Sequence, residues 1–333
     1  MQWVGAAPRG RGPMRRAPTR RPRSSVAGVK IAVVGAGAMG SVDAGILGDA
    51  GHEVWAVDVW AEHVEAILRH GLTVEGASGR RTVRIHATSD PGEVGVCDLV
   101  VIATKARDVE VAADAARRML GTATVVLPMQ NGLGSADRVA AVLGEEPVVI
   151  GVAGGFGASI VGPGHVHHNG WELVRLGERR GPATGRIRRI VEVWEGAGFR
   201  VQADDDVDRL VWEKLICNVC FSGTCTILER TIRQVLDDPA AWHVASMCAV
   251  EAYGIALVRG VALAFDDPVA YVRAFGEKIP DARPSMLLDV LAGRPCEIDV
   301  INGAIPPAGR EVGLKAPVNE VVTALVKAKS PLS

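Results

Sequence analysis

The chain has 333 residues, of which 48% are hydrophobic and 23% are charged, a balance that is ordinary for a soluble globular protein. No uninterrupted apolar run approaches the roughly 18–20 residues that a membrane-spanning helix needs, so we expect no membrane association. Residues 1–28 carry seven arginines and no acid, so the net charge of −1 leaves about −8 for the rest, which argues against nucleic acid as a partner of the folded part.

The basic N-terminal segment, residues 1–28, is predicted to be a disordered extension. It contains four prolines, which forbid a sustained helix, and it lacks the apolar stretch of a secretory signal. Sequence upstream of the true start codon and a nucleic-acid-binding arm are the alternatives. The six cysteines are scattered without the spacing of a disulfide framework, which indicates a reducing, cytoplasmic compartment.

A dinucleotide-binding fingerprint opens the folded part. A short apolar strand at 29–34 leads directly into Gly35-Ala-Gly-Ala-Met-Gly40, and an apolar helix pattern follows. In a Rossmann turn the three glycines allow the tight turn, the close approach of a pyrophosphate and helix–strand packing. The predicted cofactor-binding residues are Gly35, Gly37, Ala38, Met39 and Gly40. The alternative is a structural turn that binds no phosphate.

An acid ends the second predicted strand, at 53–58. Asp58 lies 18 residues past the last glycine of the fingerprint, where a carboxylate usually binds the adenosine ribose hydroxyls and repels a 2′-phosphate. No arginine follows before Arg69, so these residues favour NADH over NADPH. The alternative is an aspartate that only caps the following helix.

Polar residues and glycines follow the next three predicted strands. These strands are placed at 98–103, 123–127 and 147–152. Ligands of an open parallel sheet bind beyond the carboxyl ends of its strands, where Lys105, Asn131 and the glycine-rich turn 154–157 lie. A solvated loop lysine and a common Asn-Gly turn pair are the alternatives for Lys105 and Asn131.

The sequence pattern changes near residue 205. Further strands are expected near 165–176 and at 198–201, whereas the pattern from Val207 onward is helical. The predicted helices run near 207–228, 239–259, 268–276, 284–292, 297–312 and 317–328. Pro306 and Pro307 are expected to break or kink the fifth of these. We therefore predict an α/β Rossmann-type dinucleotide-binding domain over 29–205, followed by an all-helical domain over 206–333.

The first of these helices carries a narrow polar stripe. Lys214, Asn218 and Ser222 are spaced four residues apart, so they share one face of an otherwise apolar helix. A solvent-exposed face of this length would carry several charged side chains. One lysine followed by two neutral polar residues therefore indicates a face at a cleft, and an amphipathic helix with a thin wet side is the alternative.

Two more polar side chains lie at predicted helix starts. Ser285 begins one helix, where N-terminal capping is the simpler explanation. Glu297 begins the next, where the helix dipole alone favours an acid. Asp299 and Asn302 follow in the same apolar run and need polar partners. A carboxylate in this run is a candidate partner for Lys214.

No metal site is predicted. Cys217 and Cys220 form a C-x-x-C, but inside a helical pattern and without a second ligand pair, which favours core cysteines. His165, His167 and His168 lie along an apparent strand and could bind a metal, but no acid or cysteine is adjacent to them in the sequence to complete a ligand set.

Several of these segments together resemble the ketopantoate reductase family over about residues 29–329. The matching motifs, in the family's order, are Gly35-Ala-Gly-Ala-Met-Gly40, Thr104-Lys105, Gln130-Asn-Gly-Leu-Gly134, Trp212-Glu-Lys-Leu-x-x-Asn218, Pro284-Ser-Met-Leu-x-Asp289 and Glu297-Ile-Asp-x-Ile-Asn-Gly303. The resemblance implies a Rossmann domain and a helical domain, with the cofactor and a 2-keto acid bound in the cleft between them. Typical members of the family prefer NADPH.

The resemblance also implies roles for individual residues. Lys214 matches the general acid of the family, and Glu297 matches a carboxylate at the cofactor and the active site. The implied cofactor contacts are Asn131, Gly157 and Glu297, and Lys105 is assigned to the cofactor from its place at a strand end. The implied substrate contacts are Asn131, Lys214, Asn218 and Ser285.

Three departures from the family pattern bear on specificity. Ser222 stands where well-known members carry a second asparagine, and we also assign it to the substrate site. Thr231-Ile-Arg233 lacks an Asn-Gly pair with which some members contact substrate. Asp58 is the third departure, since typical members prefer NADPH and hold an arginine close to that strand end.

The expected reaction is reduction of 2-dehydropantoate to pantoate, with hydride transfer to the C2 carbonyl and Lys214 as general acid. An NADH-dependent D-2-hydroxyacid dehydrogenase acting on another branched 2-keto acid is one alternative. A non-catalytic protein that senses nicotinamide nucleotides is another. Helical second domains of such enzymes often bury apolar faces in a dimer, so a homodimer is a candidate assembly.

Overall fold

The computed structural model describes residues 28–155, 157–170 and 173–330, so the predicted disordered extension lies outside it except for Gly28. The strands are β1 (Lys30–Val34), β2 (Glu53–Val57), β3 (Leu72–Gly76), β4 (Arg81–Val83), β5 (His86–Thr88), β6 (Leu99–Ile102), β7 (Val125–Pro128), β8 (Val149–Ala153), β9 (Gly157–Gly162), β10 (His165–Gly170), β11 (Leu173–Glu178) and β12 (Arg200–Ala203). The helices are α1 (Ala38–Asp49), α2 (Ala61–His70), α3 (Val109–Ala116), α4 (Ser135–Leu143), α5 (Gly185–Gly196), α6 (Val207–Leu228), α7 (Ile232–Leu236), α8 (Pro239–Val258), α9 (Pro268–Lys278), α10 (Ser285–Leu291), α11 (Ile305–Glu311) and α12 (Pro317–Lys329).

A parallel sheet forms the centre of the N-terminal part. Its five strands lie in the order β5-β2-β1-β6-β7, and a parallel bridge between Val126 and Val148 leads on to the three-stranded sheet β8-β11-β12. Successive residues of β1 face opposite sides: Ile31 and Val33 belong to one buried cluster, Ala32 and Val34 to another. A strand that is buried on both faces has to be apolar along its buried length. The parallel sheet, covered on both faces, confirms the predicted Rossmann-type fold.

A second sheet of four strands, in the order β4-β3-β10-β9, packs against α1 and was not predicted. The segment expected as strands near 165–176 is divided between this sheet (β10) and the three-stranded sheet (β11). Strand β10 pairs with β3 in parallel, which brings His165 Nε2 to 3.3 Å from a carboxylate oxygen of Glu75. An acid thus lies beside these histidines in the fold although none is adjacent to them in the sequence. In the described ranges, no three His, Cys, Asp or Glu side chains are grouped so that they could hold a metal ion.

Between Val207 and Ser330 the described chain contains helices and turns only, as predicted. Helix α6 is buried along most of its length and packs against α8, α10 and α12. The six cysteines of the chain are unpaired, and four of them lie in α6 and α8. The domain boundary at 205 stays a prediction; α6 begins just beyond it.

The prediction of a helix at 297–312 is wrong for the first half of that range. Short 3₁₀ turns replace it, and Ile301, with φ −106° and ψ −98°, lies outside the helical region. The α-helix begins only at Ile305, so Pro306 and Pro307 lie in its first turn, where a missing N–H breaks no helical hydrogen bond. The proline pair therefore starts this helix instead of kinking it.

One helix among the described residues, α8, is long and apolar enough to span a membrane by length and composition alone. Eight of its residues are buried inside the protein, and Glu251 on the same helix accepts hydrogen bonds from the backbone amides of Val318 and Asn319 at the start of α12. These contacts are those of a core helix.

Candidate active site

The glycine-rich turn has the geometry that its sequence predicts. Gly35 has φ of +91°, and a Cβ atom at Gly40 would lie 2.2 Å from the carbonyl oxygen of Gly35, so both positions require glycine. At Gly37 a Cβ would meet nothing within 4 Å, so the backbone there has open space beside it. Within the described ranges, the amides of residues 37–39 have no hydrogen-bond acceptor. Free amides at the positive end of α1 fit a pyrophosphate.

Asp58 lies at the carboxyl end of β2, beside this turn. Its Oδ1 accepts a hydrogen bond of 2.9 Å from the backbone amide of Trp60, a local turn contact just before α2, whereas the start of α2 has no side-chain capping hydrogen bond in the described part of the chain. A carboxylate has further lone pairs, so the contact leaves room for ribose hydroxyls.

Lys214 lies where the two halves of the molecule meet. Its Nζ donates a hydrogen bond of 2.6 Å to the carbonyl oxygen of Ala153, the last residue of β8. Burial lowers the pKa of Lys214 from 10.5 to about 8, and the charge of Glu297 opposes that shift. The ammonium group is therefore ready to lose a proton near neutral pH.

A cleft of about 310 Å³ opens beside Lys214. Asn131, from the turn after β7, and Asn218, one helical turn beyond Lys214, both line it. Among the described residues the Asn218 side chain has no hydrogen-bond partner. Ser222 is buried, only 6% exposed, and does not line this cleft. The polar stripe thus contributes Lys214 and Asn218 to the cleft.

Lys105 and Glu297 join the two halves on the cofactor side. Lys105 Nζ lies 2.7 Å from Asp289 Oδ2 and 3.9 Å from Glu297 Oε2, while Glu297 Oε1 accepts a hydrogen bond of 3.0 Å from the Ala106 amide. Arg294 donates to the other oxygen of Asp289. Glu297 is thus the charged neighbour of Lys214 that we expected, but its direct contacts are with residues 105 and 106.

Two predicted site residues lie apart from these contacts. Ser285 is the first residue of α10, is exposed, and makes no capping hydrogen bond, so the simpler explanation for it is wrong. Gly157 opens β9 opposite Gly170 in the second sheet and does not line the cleft.

Sequence reasoning missed the partners that hold these groups in place. Asp289 stood in a quoted motif without a role, and nothing in the sequence marked the carbonyl of Ala153. Gly132 was considered only as a turn residue, yet a Cβ there would lie 2.1 Å from the carbonyl oxygen of Val300, and Leu133 donates to the same oxygen. The Asn131 turn is therefore held against the helical half.

Asn302, the other polar residue of the 297–303 run, belongs to the core. It is fully buried, and its Nδ2 donates to the carbonyl of Val219 and to Asn319 Oδ1. Asn319 in turn donates to Cys248 O and to Glu251. This network joins α6, α8 and α12.

Comparison with known proteins gives consistent results for both halves. The profile described as "Ketopantoate reductase PanE/ApbA" matches residues 31–181, and "Ketopantoate reductase PanE/ApbA C terminal" matches residues 206–330. A 2-dehydropantoate 2-reductase from Pyrococcus horikoshii is 31% identical over 91% of this chain and 98% of its own length.

Solved structures resemble the chain over similar lengths. The 2-dehydropantoate 2-reductase from Geobacter metallireducens GS-15 is 30% identical, with a TM-score of 0.85 over 91% of this chain and all of its own. D-mandelate dehydrogenase in a ternary structure with NADH and anilino(oxo)acetate is 29% identical, with a TM-score of 0.82 over 90% of this chain and 98% of its own.

Proposed function

Because this chain belongs to the ketopantoate reductase family, we propose that it reduces 2-dehydropantoate to pantoate, a step of pantothenate and coenzyme A synthesis. The family makes the protein an oxidoreductase that uses a nicotinamide cofactor on a small keto acid. The observation that carries the proposal is Lys214, a partly buried ammonium group with a lowered pKa beside a cleft that Asn131 and Asn218 also line.

Lys214 is proposed as the proton donor. When bound, a reduced nicotinamide supplies the hydride that adds to the C2 carbonyl carbon of the keto acid. The carbonyl oxygen gains negative charge as that bond forms, and the proton of Lys214 Nζ neutralises it. With a pKa of about 8, the lysine is mostly protonated at neutral pH, and it transfers its proton more readily than an exposed lysine. The hydrogen bond to Ala153 holds Nζ at the end of β8.

The remaining polar groups are proposed to bind and orient. The side chain of Asn218, unbonded among the residues that the structure describes, supplies hydrogen bonds to substrate, and Asn131 contacts both substrate and cofactor. Glu297 keeps the lysine charged in the resting state and lies at the cofactor edge. Ser222 and Ser285 do not line the cleft, and they are proposed as substrate contacts from their match to family positions. Ser222 is the first position to exchange when the preferred keto acid is tested.

On the cofactor side, Lys105 and Gly157 are proposed contacts along with the glycine-rich turn. The amides of residues 37–39, which have no acceptor in the described part of the chain, and the open space at Gly37 support a pyrophosphate there. Asp58 supports NADH, since its carboxylate repels a 2′-phosphate and no arginine lies close to it in the sequence. We therefore propose NADH as the preferred cofactor, against the NADPH preference of typical members.

A second candidate is an NADH-dependent D-2-hydroxyacid dehydrogenase that acts on another branched 2-keto acid. Asp58 supports it, as does the similarity to D-mandelate dehydrogenase, which was solved with NADH. Ser222 in place of the family's second asparagine is a further reason for an altered substrate.

Initial rates of the purified protein test these proposals. Ketopantoate and other branched or aromatic 2-keto acids would each be tested with NADH and with NADPH. The highest kcat/KM is expected with ketopantoate and NADH. A higher kcat/KM with another keto acid would favour the second candidate, and a strong preference for NADPH would refute the assignment of Asp58. Absence of turnover with every keto acid would favour a nucleotide-sensing protein.

A further inference from the structure

A buried chain of hydrogen bonds runs behind the glycine-rich turn. Ser41 Oγ, in the first turn of α1, lies 2.7 Å from the carbonyl oxygen of Ala36 and 3.1 Å from His63 Nε2. The other ring nitrogen, Nδ1, accepts a hydrogen bond of 3.0 Å from the amide of Gly164. Ala36, Ser41 and His63 are all fully buried.

The hydrogen atoms in this chain can be assigned from the partners alone. The Ala36 carbonyl only accepts, so the single hydroxyl hydrogen of Ser41 points to it. Ser41 Oγ must then accept from His63, which requires a hydrogen on Nε2. Nδ1 must carry a lone pair because Gly164 donates to it. His63 is therefore neutral, and burial lowers its pKa against the opposing charge of Asp58.

The chain of bonds fixes the direction of a backbone donor. In a trans peptide the carbonyl and the following N–H point to opposite sides. Because Ser41 holds the Ala36 carbonyl inward, the amide of Gly37 points outward at the start of α1. This is the first of the amides that have no acceptor within the described ranges, beside the open space at Gly37.

The far end of the chain is anchored outside the fingerprint. Gly164 lies in the turn between β9 and β10 of the second sheet. The His63 ring also stacks on Trp60, with 4.8 Å between ring centroids, and the Trp60 amide donates to Asp58. One imidazole thus connects the second sheet, the glycine-rich turn and the proposed ribose carboxylate.

We propose that His63 is a positioning residue for the nicotinamide cofactor: through Ser41 it orients the Ala36–Gly37 peptide so that the Gly37 amide faces the pyrophosphate. The inference rests on the proposed function for the identity of the ligand. His63 touches no reacting atom, so it acts on cofactor affinity and leaves the chemical step unchanged.

The first test measures the binding of NADH and of NADPH to the purified full-length chain, with the fluorescence of the nucleotide as the signal. Ser41→Ala removes the hydroxyl that connects His63 to the turn, and we expect the dissociation constant to rise roughly tenfold, the effect of about one lost hydrogen bond. The kcat at saturating cofactor and the KM for keto acid should stay within twofold of wild type.

Ser246→Ala is the matched control. Ser246 is also a buried serine, and its Oγ lies 3.1 Å from a backbone carbonyl, that of His243, in α8. Its removal should leave cofactor binding unchanged. Equal weakening in both variants would mean a general loss of stability and would overturn the inference.

The double variant tests whether the two residues act together. His63→Asn retains an acceptor for the Gly164 amide, but its shorter side chain has no donor at the position of Nε2, which bonds to Ser41. If His63 acts through Ser41, Ser41→Ala/His63→Asn binds no more weakly than the weaker single variant. Multiplied effects would show independent roles and would overturn the inference.

The failure of this inference differs from the failure of the proposed function. Ser41→Ala that binds both nucleotides as wild type does would overturn the inference alone. Wild-type protein that binds neither nucleotide would overturn the proposed function and the inference with it.

Discussion

Two polar clusters of the helical half differ in how fully their hydrogen bonds are satisfied. In the core group (Asn302, Asn319 and Glu251), each side chain bonds to at least two partners, and the partners lie on three different helices. In the cleft group (Lys214, Asn218 and Glu297), Lys214 has one carbonyl acceptor, and Asn218 has no partner within the described ranges.

The difference separates two reasons for placing a polar side chain in an apolar helix. In the core group the amide nitrogens of both asparagines and both oxygens of Glu251 are bonded to the protein, so these hydrogen bonds contribute to the free energy of folding, although Asn302 Oδ1 has no partner in the described part of the chain. The cleft group retains donors that have no acceptor within residues 28–155, 157–170 and 173–330, so these donors are available to a ligand. Three variants, two control variants and a pH profile test this distinction, and the largest effect is expected in the cleft group.

Lys214→Ala is expected to lower kcat by at least about a hundredfold, because the general acid is lost. Folding should not suffer at pH 7. The pKa of Lys214 is 10.5 in the unfolded chain and about 8 in the folded chain, so the unfolded state binds more protons between these two values. Below pH 8 the lysine is charged in both states, and burial of its charge lowers the stability of the folded state. Alanine carries no charge and does not have this cost. Steady-state kinetics and thermal unfolding measure the two effects. Exposed Lys315→Ala is the control, and a loss below tenfold with unchanged KM would remove Lys214 from the mechanism.

Asn302→Ala should show the opposite pattern. It leaves the Val219 carbonyl and Asn319 Oδ1 without their buried donor, so the free energy of unfolding in urea should fall by about 2–3 kcal/mol. The kcat per folded molecule should stay within twofold. Asp299→Ala, which breaks only an exposed ion pair with Lys327, should change stability by less than about 1 kcal/mol. Equal stability of the two variants would contradict the structural role of the core group.

The pH profile of kcat/KM should report the titration of Lys214. Reduction needs the protonated lysine, so its rate should fall as pH rises through about 8, by about tenfold per unit at higher pH. The reverse reaction needs the neutral lysine and should become faster over the same range. A reduction rate that stays flat to pH 10 would contradict Lys214 as the proton donor.

Glu297→Gln should give the smallest effect, a shift of that profile. The charge of Glu297 raises the pKa of Lys214, so its neutralisation should move the midpoint below 8. Glutamine keeps an oxygen that can accept from the Ala106 amide, which limits other changes. A midpoint that moves upward would contradict the electrostatic coupling of the two residues.

How much the sequence predicted depends on how far apart in the chain the interacting residues lie. The turn from Gly35 to Gly40 is specified by neighbouring residues, so its geometry was predictable. The polar stripe on α6 was also predictable, because helical periodicity alone brings Lys214 beside Asn218.

The missed features depend on distant pairs. Lys105 meets Asp289 across 184 positions, and β3 pairs with β10 although about 90 residues separate them. The strands of the second sheet are only three to six residues long, and the polar run of β10 lacks a clear alternation. The backbone around Asn302 is not helical, and Asn302 forms hydrogen bonds with residues far away in the chain. Apolar periodicity reveals neither feature, so the sequence predicted a helix at 297–312.

The pairing of β3 with β10 also has a consequence for biosynthesis on the ribosome. A nascent chain that has emerged only as far as Ala153 contains the whole glycine fingerprint and all five strands of the parallel sheet. It still lacks β9, β10 and Gly164, so β3 pairs only with β4, and His63 Nδ1 has no amide from which to accept a hydrogen bond. The nascent chain therefore contains the complete glycine-rich turn before it can form the contacts that hold this turn in place for a nucleotide.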